Sequence, residues 1–283
     1  MENEYPLSDR EFARIRARVH AEAGIALSDS KRTLVVARLG KILRRNGFAS
    51  FDEYLDHLEG DAGTQDAQDF INALTTNLTR FWREEHHFTH LVQHVTDLVR
   101  ASAASGAPKR LRIWSAGCST GQEAYSIALS LLTALPELRN WDFRILATDI
   151  DTVVLNKACE GIYPESELNG LAPGQIRLFE RMEDGRVRVP DRFASCVAFK
   201  HLNLLGSWPM KGVFEAIFCR NVAIYFDKQT QFDLFARFAS ILTPGGMLYL
   251  GHSENLGAQN YGLRAAGKTI YQLRMPAKAR DVA

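Results

Sequence analysis

A short loop at residues 117–121, inside the stretch RIWSAGCSTGQEAYSIAL (112–129), has residue types that suit two kinds of site. Its G-C-S-T-G letters match the G-x-S-x-G turn that presents the nucleophilic serine of α/β hydrolases, which would be Ser119. Asp149 and His252 follow in the order that such an enzyme requires. In hydrolases, however, this turn follows several strands and an oxyanion loop, whereas the residues before this loop have a helical pattern. The context therefore disfavours a hydrolase.

The same loop suits a nucleotide-containing cofactor, which binds after the first strand of a doubly wound sheet. A carboxylate that ends the second strand then holds the ribose, and Asp149 in RILATDID occupies that place. No Lys-Ser/Thr pair follows Gly121, which excludes a phosphate-binding P-loop. Glu123 lies in the first turn of the next helix, where a pyrophosphate needs positive potential, so a dinucleotide is disfavoured as well.

A carboxylate at this helix start instead suits a cationic ligand that has no phosphate. S-adenosylmethionine carries an ammonium group, a sulfonium and a ribose, so Glu123 and Asp149 would bind its polar ends. Gly117 and Gly121 would let the backbone approach it closely. The alternative is structural: Glu123 would only stabilise a helix N-terminus, and Asp149 would only cap a strand.

The first hundred residues have helical periodicity, with apolar residues three and four positions apart. The pattern predicts a helix capped by Ser8, a second after residues 28–30 that ends at Asn46-Gly47, a third from Ser50, and a fourth over 81–100. The small and polar segment 101–110 is predicted to be a linker. These features indicate an N-terminal helical domain over residues 1–100.

After the linker the pattern alternates between strands and helices, which favours a mainly parallel sheet with helices on both faces. Strands are predicted at 111–114, 143–147, 196–202, 214–218, 246–250 and 269–273, and helices at 121–134, 151–159 and 228–242. Residues 176–190 are typical of a β-hairpin that turns at Asp184-Gly185. The expected architecture is an α/β, Rossmann-like domain over 111–275 with a β-subdomain at about 162–195, followed by a tail over 276–283.

The sequence argues against several acceptors for a methyl group. The strand that ends in FCRNVAIYF lacks the Asn/Asp-Pro-Pro-Tyr segment with which amino-directed nucleic-acid methyltransferases hold a flipped base. Cytosine-C5 enzymes need a Pro-Cys nucleophile, but Phe218 precedes Cys219. Methylation of nucleic acid is therefore disfavoured, and the formal net charge of +1 gives no support for nucleic-acid binding.

Several separated motifs, in order, resemble the CheR-type chemotaxis receptor methyltransferases, which esterify receptor glutamates. The motifs are TTNLTRFWREEHHF, SAGCSTGQEAYSIA, ATDIDTVVL, GIY, LNLL, FCRNVAIYF, LTPGG and GHSEN, and the resemblance extends to about Arg274. It implies a class I methyltransferase sheet, S-adenosylmethionine as cofactor and chemoreceptor helices as substrate. The alternative is a cofactor-binding adaptor or sensor that methylates no receptor.

The resemblance also implies roles for individual residues, although Thr79 alone would be taken for a helix cap and Arg83 for a solvated charge. Arg83 and Tyr225 would lie beside the transferred methyl group and orient the acceptor carboxylate, with proximity supplying most of the rate. The cofactor-binding residues that it implies are Asn77, Thr79, Arg83, Gly117, Glu123, Asp149, Asn203, Leu204, Arg220 and Asn221.

The remaining surface features lead to weaker expectations. The histidines at 86, 87, 90 and 94 lack a completing metal motif, so no metal is expected. The basic face of the helix at 31–45 would complement acidic receptor helices and speed encounter. The compact hairpin argues against a tether for a receptor C-terminal peptide. No signal core, membrane span or C-x-x-C pair is present, so we expect a cytoplasmic monomer with reduced thiols.

Overall fold

The computed structural model describes residues 5–60, 63–257, 259 and 261–275. Ten strands are present among these residues: β1 (Arg110–Ala116), β2 (Asp142–Asp149), β3 (Ile162–Pro164), β4 (Glu180–Arg181), β5 (Arg186–Arg188), β6 (Val197–His201), β7 (Phe214–Cys219), β8 (Leu242–Leu250), β9 (Leu263–Gly267) and β10 (Ile270–Leu273). Seven of them form one sheet in the order β6-β2-β1-β7-β8-β10-β9. The pairs from β6 to β8 are parallel, whereas β10 is antiparallel to both of its neighbours. This confirms the Rossmann-like class I methyltransferase sheet.

Helices cover both faces of this sheet and form a separate layer before it. They are α1 (Asp9–Ala23), α2 (Arg32–Asn46), α3 (Phe51–Glu59), α4 (Thr64–Leu74), α5 (His86–Ser105), α6 (Gln122–Ala134), α7 (Thr152–Glu160), α8 (Pro173–Ile176), α9 (Asp191–Ala194) and α10 (Lys228–Ile241). Ser8 caps α1 as predicted, since its hydroxyl accepts from the Glu11 amide. The side chain of Glu11 accepts in return from the Ser8 amide, which completes a capping box.

The buried side chains form three apolar clusters. Successive side chains of β1 point to opposite faces of the sheet, so that Ile113 packs in the cluster shared with α5 and α6, and Trp114 in the cluster shared with α10. A third cluster is formed by α1 to α4 and ends at Leu74. The cores therefore divide after Leu74, because α5 packs on the sheet and not on the preceding helices. The sequence predicted a domain boundary later, at residue 100.

Several predicted elements differ from the structure. The fourth helix was predicted over 81–100 but is observed as α5, His86–Ser105. The first half of the predicted linker, 101–110, is therefore helical. The helix α4 and the edge strand β9 were not among the predicted elements. The predicted β-hairpin is present as β4 and β5, and β3 joins it to form a three-stranded sheet in the order β3-β5-β4. The predicted tail, 276–283, lies outside the described residues.

The helical layer is attached to the sheet domain through polar contacts near the carboxyl ends of the strands. Asn72 of α4 donates to the Thr152 hydroxyl at 3.0 Å, and the amide of Asn203 donates to the carbonyl of Glu22 at 2.6 Å. The Ala26 amide donates to the Tyr225 carbonyl at 2.8 Å. These contacts bring the end of α1 and the end of α4 to the edge of the sheet at which a cofactor would bind. No helix of the described chain is long and apolar enough to cross a membrane.

Candidate functional site

A cleft with an empty volume of about 1000 Å³, open solvent included, lies at the carboxyl ends of β1, β2, β6 and β7. The chain changes direction there between β1 and β7, which is where ligands bind in open α/β sheets. The extended residues 75–80, which we call the strap, lie over one side of the cleft. Eleven of the residues that the sequence assigned to the site line this cleft, namely Asn77, Thr79, Arg83, Gly117, Glu123, Asp149, Asn203, Leu204, Arg220, Asn221 and Tyr225. Gly121, which was also expected to approach the cofactor, lies instead against Ala158 and Tyr163.

The loop after β1 needs glycine at its first position. Gly117 has φ +83°, a backbone conformation that other residues rarely adopt, and its amide donates to the Thr148 carbonyl at 2.8 Å. A Cβ atom at this position would lie 2.3 Å from Cγ2 of Val222. The loops after β1 and β7 therefore approach each other more closely than a side chain at residue 117 would allow.

Asp149 ends β2 and is 8% exposed. Its Oδ2 accepts from the Ser119 amide at 2.8 Å, and its Oδ1 accepts from the Asp151 amide at 3.0 Å. Burial raises the pKa of this carboxyl group, and the two amide hydrogen bonds oppose that shift. The carboxylate is thus fixed in the cleft wall, and it holds the loop after β1 in place.

Arg220 follows β7 and lies between two carboxylates. Its Nη1 is 3.1 Å from Oε2 of Glu123, and its Nη2 is 3.6 Å from Oε2 of Glu84. Ser115 also donates to Glu123, at 2.7 Å, and burial raises the pKa of Glu123. When ionised, the two glutamates and one arginine leave a net negative charge beside the cleft, which favours a cationic ligand.

Glu84 was not predicted to belong to the site. Burial acts to raise its pKa, but hydrogen bonding from His252 at 3.1 Å and the charge of Arg220 outweigh this effect and lower it. Its φ is +57°, and the adjacent Arg83 carbonyl accepts from Arg220. The position of Glu84 depends on this tertiary contact, which the sequence does not reveal. The only signal in the sequence is that Glu84 is one of two acidic residues in FWREE.

The strap is held by its inward-facing side chains. The hydroxyl of Thr75 and the amide of Asn77 donate to Oδ2 of Asp151 at 2.6 and 2.7 Å. Ser119 donates from its hydroxyl to the Asn77 carbonyl at 3.1 Å, and Arg83 donates to the Leu78 carbonyl at 2.9 Å. Asp151 also caps α7, so it joins the strap to the sheet domain. This role of Asp151 was not predicted, although the residue lies in the quoted motif ATDIDTVVL.

The loop after β7 carries Asn221 and leads to Tyr225. Both carboxylate oxygens of Glu254 accept backbone amides of this loop, and the carbonyl oxygen Oδ1 of Asn221 is buried without a hydrogen-bond partner. A buried acceptor without a partner is costly unless a ligand satisfies it. Glu254 lies in the quoted motif GHSEN, but no local pattern indicates that it would hold this loop.

The serine-hydrolase alternative is not supported by the geometry. The Ser119 hydroxyl donates to a backbone carbonyl of the strap, and Asp149 accepts from the Ser119 backbone amide. His252 is hydrogen bonded to Glu84. The three residues therefore do not form a charge-relay chain in this structure.

Three of the four neighbouring histidines of α5 are hydrogen bonded to residues of the sheet domain, namely His86, His87 and His90. His87 contacts Thr269 at 2.9 Å, and His90 contacts the Tyr249 hydroxyl at 3.0 Å. Burial lowers the pKa of His87 to about 3 and that of His94 to about 4. Within the described ranges, no group of three or more His, Cys, Asp or Glu side chains is arranged to hold a metal ion.

Several cations on the basic face of α2 have partners within the protein. Arg32 and Arg45 form ion pairs with aspartates of the helical layer. Arg38 donates to the backbone carbonyl of Thr75, where the strap begins. Arg38 is therefore half-buried, whereas Lys41 is exposed on this helix. The contact of this face with acidic receptor helices stays a prediction.

The lining of the cleft fits S-adenosylmethionine. Glu123 and Asp149 supply carboxylates for an ammonium group and for ribose hydroxyls, and the unpartnered Oδ1 of Asn221 supplies a further acceptor. Apolar side chains for an adenine ring are also present: Ile25, Leu202, Leu204 and Phe226. None of these groups provides the cationic cradle that a pyrophosphate needs.

Comparisons with known proteins agree with this fit. Residues 10–75 match the family model described as "CheR methyltransferase, all-alpha domain", and residues 77–271 match "CheR methyltransferase, SAM binding domain". The "Chemotaxis protein methyltransferase" of Klebsiella aerogenes is 45% identical, over 96% of this chain and 92% of that protein. The protein of the same name from Escherichia coli is 44% identical, over 94% and 92%. The boundary between the two family domains coincides with the division between the cores after Leu74.

Proposed function

This chain belongs to the CheR methyltransferase family, and from that membership we propose that it methylates glutamate side chains of chemoreceptors, forming methyl esters. Its cofactor is S-adenosylmethionine, which supplies an electrophilic methyl group when bound. The observation that carries the proposal is that Arg83 and Tyr225 line the same cleft as the carboxylates that suit this cofactor.

The residues of the chain would act mainly by positioning. Glu123, Asp149 and Asn221 would hold the cofactor, and the strap would cover it. Arg83 and Tyr225 would donate hydrogen bonds to the acceptor carboxylate and direct one of its oxygens toward the reacting carbon. An ionised carboxylate is already a nucleophile, so the reaction needs no strong base, and orientation supplies most of the rate.

The acceptor would be an acidic helical segment, which the exposed Lys41 of α2 would attract over a distance. A receptor C-terminal peptide is not expected to add a strand to the β-subdomain. Its edge strands β3 and β4 contain only three and two residues, which offer few backbone groups for pairing. This favours direct recognition of the acceptor helix at the cleft.

The test uses the purified protein, methyl-labelled S-adenosylmethionine and a receptor cytoplasmic fragment. Wild type should form methyl esters that alkali releases as methanol, and a fragment with glutamine at the acceptor positions should not be labelled. Tyr225→Phe should lower kcat about tenfold to hundredfold, because it removes one donor to the reacting carboxylate, and leave the cofactor Kd unchanged. Tyr271→Phe, in β10, is the matched control.

Two outcomes would count against the proposal. Wild type that binds S-adenosylmethionine but labels no receptor fragment would favour a cofactor sensor. Equal kcat values for Tyr225→Phe and wild type would remove Tyr225 from the reaction.

A further inference from the structure

The strap presents one unusually exposed apolar side chain at the mouth of the cleft. Along its extended backbone the side chains alternate, so that Thr75, Asn77 and Thr79 are partly buried and the three residues Thr76, Leu78 and Arg80 are exposed. Leu78 is 81% exposed, more than any other large apolar side chain of the described residues.

The side chain of Leu78 is not what holds the strap in place. The strap is tied to Asp151 through Thr75 and Asn77, and its Leu78 carbonyl accepts from Arg83. The leucine is therefore displayed by a backbone that is fixed by other groups. Its exposure contributes nothing to the folding of the chain, since apolar burial is what stabilises a fold.

Single exposed leucines are common on protein surfaces, so exposure alone assigns no role. Leu78 differs because it lines the cleft that contains Arg83 and Tyr225. A second reactant that reaches Arg83 and Tyr225 enters the cleft that the strap lines. Arg80, two residues further along, also lines the cleft and is exposed.

We infer that Leu78 is an anchor for the acceptor polypeptide, packing against an apolar side chain of the acidic helix whose carboxylate reaches Arg83 and Tyr225. The inference rests on the proposed function. Residues two positions apart on an extended strand are separated by about 6.6 Å, close to the rise of one helical turn of about 5.4 Å. An apolar and an acidic residue one turn apart on the acceptor helix would thus meet Leu78 and Arg80 together.

The test compares Leu78→Ala with Leu78→Met, which keeps the apolar volume. Leu78→Ala should raise the KM for the receptor fragment about tenfold and leave the Kd for S-adenosylmethionine, measured by titration calorimetry, unchanged. Leu78→Met should stay within about twofold of wild type. Arg80→Gln should make the same KM less sensitive to salt, because it removes a charge at the contact.

Val213→Ala is the matched control. Val213 is 42% exposed and precedes β7, at the end of that strand opposite to Arg220 and the cleft. It should leave all of these constants unchanged.

The outcomes separate this inference from the proposed function. If wild type methylates the fragment and Leu78→Ala has the same KM, the inference that Leu78 is an anchor is wrong, but the proposed function is unaffected. If Leu78→Ala weakens cofactor binding as much as acceptor binding, Leu78 acts on the cofactor site and the inference is also wrong. If wild type methylates no fragment, the proposed function fails first.

Discussion

Replacing Glu254 with glutamine tests how the loop between Arg220 and Tyr225 is held. Oε2 of Glu254 accepts the amides of Asn221 at 2.8 Å and Gly251 at 2.6 Å. Oε1 accepts two further amides of the same loop, at 3.0 and 3.3 Å. Glu254 is 5% exposed, so little water is available to replace the carboxylate.

The size of the effect follows from this geometry. Glutamine keeps one acceptor oxygen and turns the other into an NH2 group that faces two N–H donors. Each buried donor left without a partner costs about 1–3 kcal/mol, and relaxation of the loop recovers part of this. A local destabilisation of about 3 kcal/mol is expected for Glu254→Gln. Opening of the loop should then become roughly a hundredfold more frequent, since 1.4 kcal/mol corresponds to a factor of ten.

Amide hydrogen exchange measures this opening residue by residue. In Glu254→Gln one pair of amides should exchange about a hundredfold faster, either those of Asn221 and Gly251 or those of Val222 and Ile224, depending on which oxygen position the amide group of glutamine takes. Glu183→Gln makes the same change on the exposed surface and is the control. Unchanged exchange of both pairs would refute the claim that Glu254 holds the loop.

Two further predictions follow from close contacts and buried titratable groups. Gly117→Ala should weaken cofactor binding at least about tenfold by titration calorimetry, because its Cβ would lie 2.3 Å from a methyl group of Val222. Adding Val222→Ala should restore part of the affinity. Full affinity in the single variant would contradict this reasoning. The pKa of His87 is lowered to about 3 and that of His94 to about 4, from 6.5, by burial. The unfolded state therefore binds more protons below pH 6.5, and the unfolding free energy should fall from about pH 6.5 to pH 4. His94→Gln should flatten this slope in urea unfolding curves, and an identical slope would show that His94 titrates normally.

Several of the residues that the sequence assigned to a cofactor site follow strands. Gly117, Asp149, Asn203 and Arg220 each lie at or just after the end of a parallel strand. The carboxyl ends of parallel strands share one edge of a sheet, so a correct order of strands and helices already brings these residues together. Of the residues that line the cleft, only Gly117, Glu123 and Asp149 were assigned from their own residue types and positions. The other assignments depended on the family resemblance, namely Asn77, Thr79, Arg83, Asn203, Leu204, Arg220, Asn221 and Tyr225.

The elements that were missed depend on contacts that a local pattern does not contain. α4 is short and buries three side chains, Phe70, Ile71 and Leu74, which pack only when the helices before it are in place. The start of α5 was misplaced because Trp82 and Glu84 have positive φ. That conformation accompanies the bond from Arg220 to the Arg83 carbonyl, which links positions far apart in the sequence.

Asp149 has a structural role that its proposed contact with the cofactor does not include. The sequence suggested a carboxylate for ribose, and the structure adds that Asp149 binds the amides of Ser119 and Asp151. Removing this side chain would release the loop after β1 as well as a ligand contact, so a loss of cofactor affinity in Asp149→Ala has two causes. Hydrogen exchange of the Ser119 amide separates these causes. The exchange rate reports only the release of the loop, whereas the affinity reports both the release of the loop and the lost contact. Burial raises the pKa of Asp149, and the same two amide hydrogen bonds oppose this shift, so the bonds that hold the loop also favour the charged form of the carboxyl group.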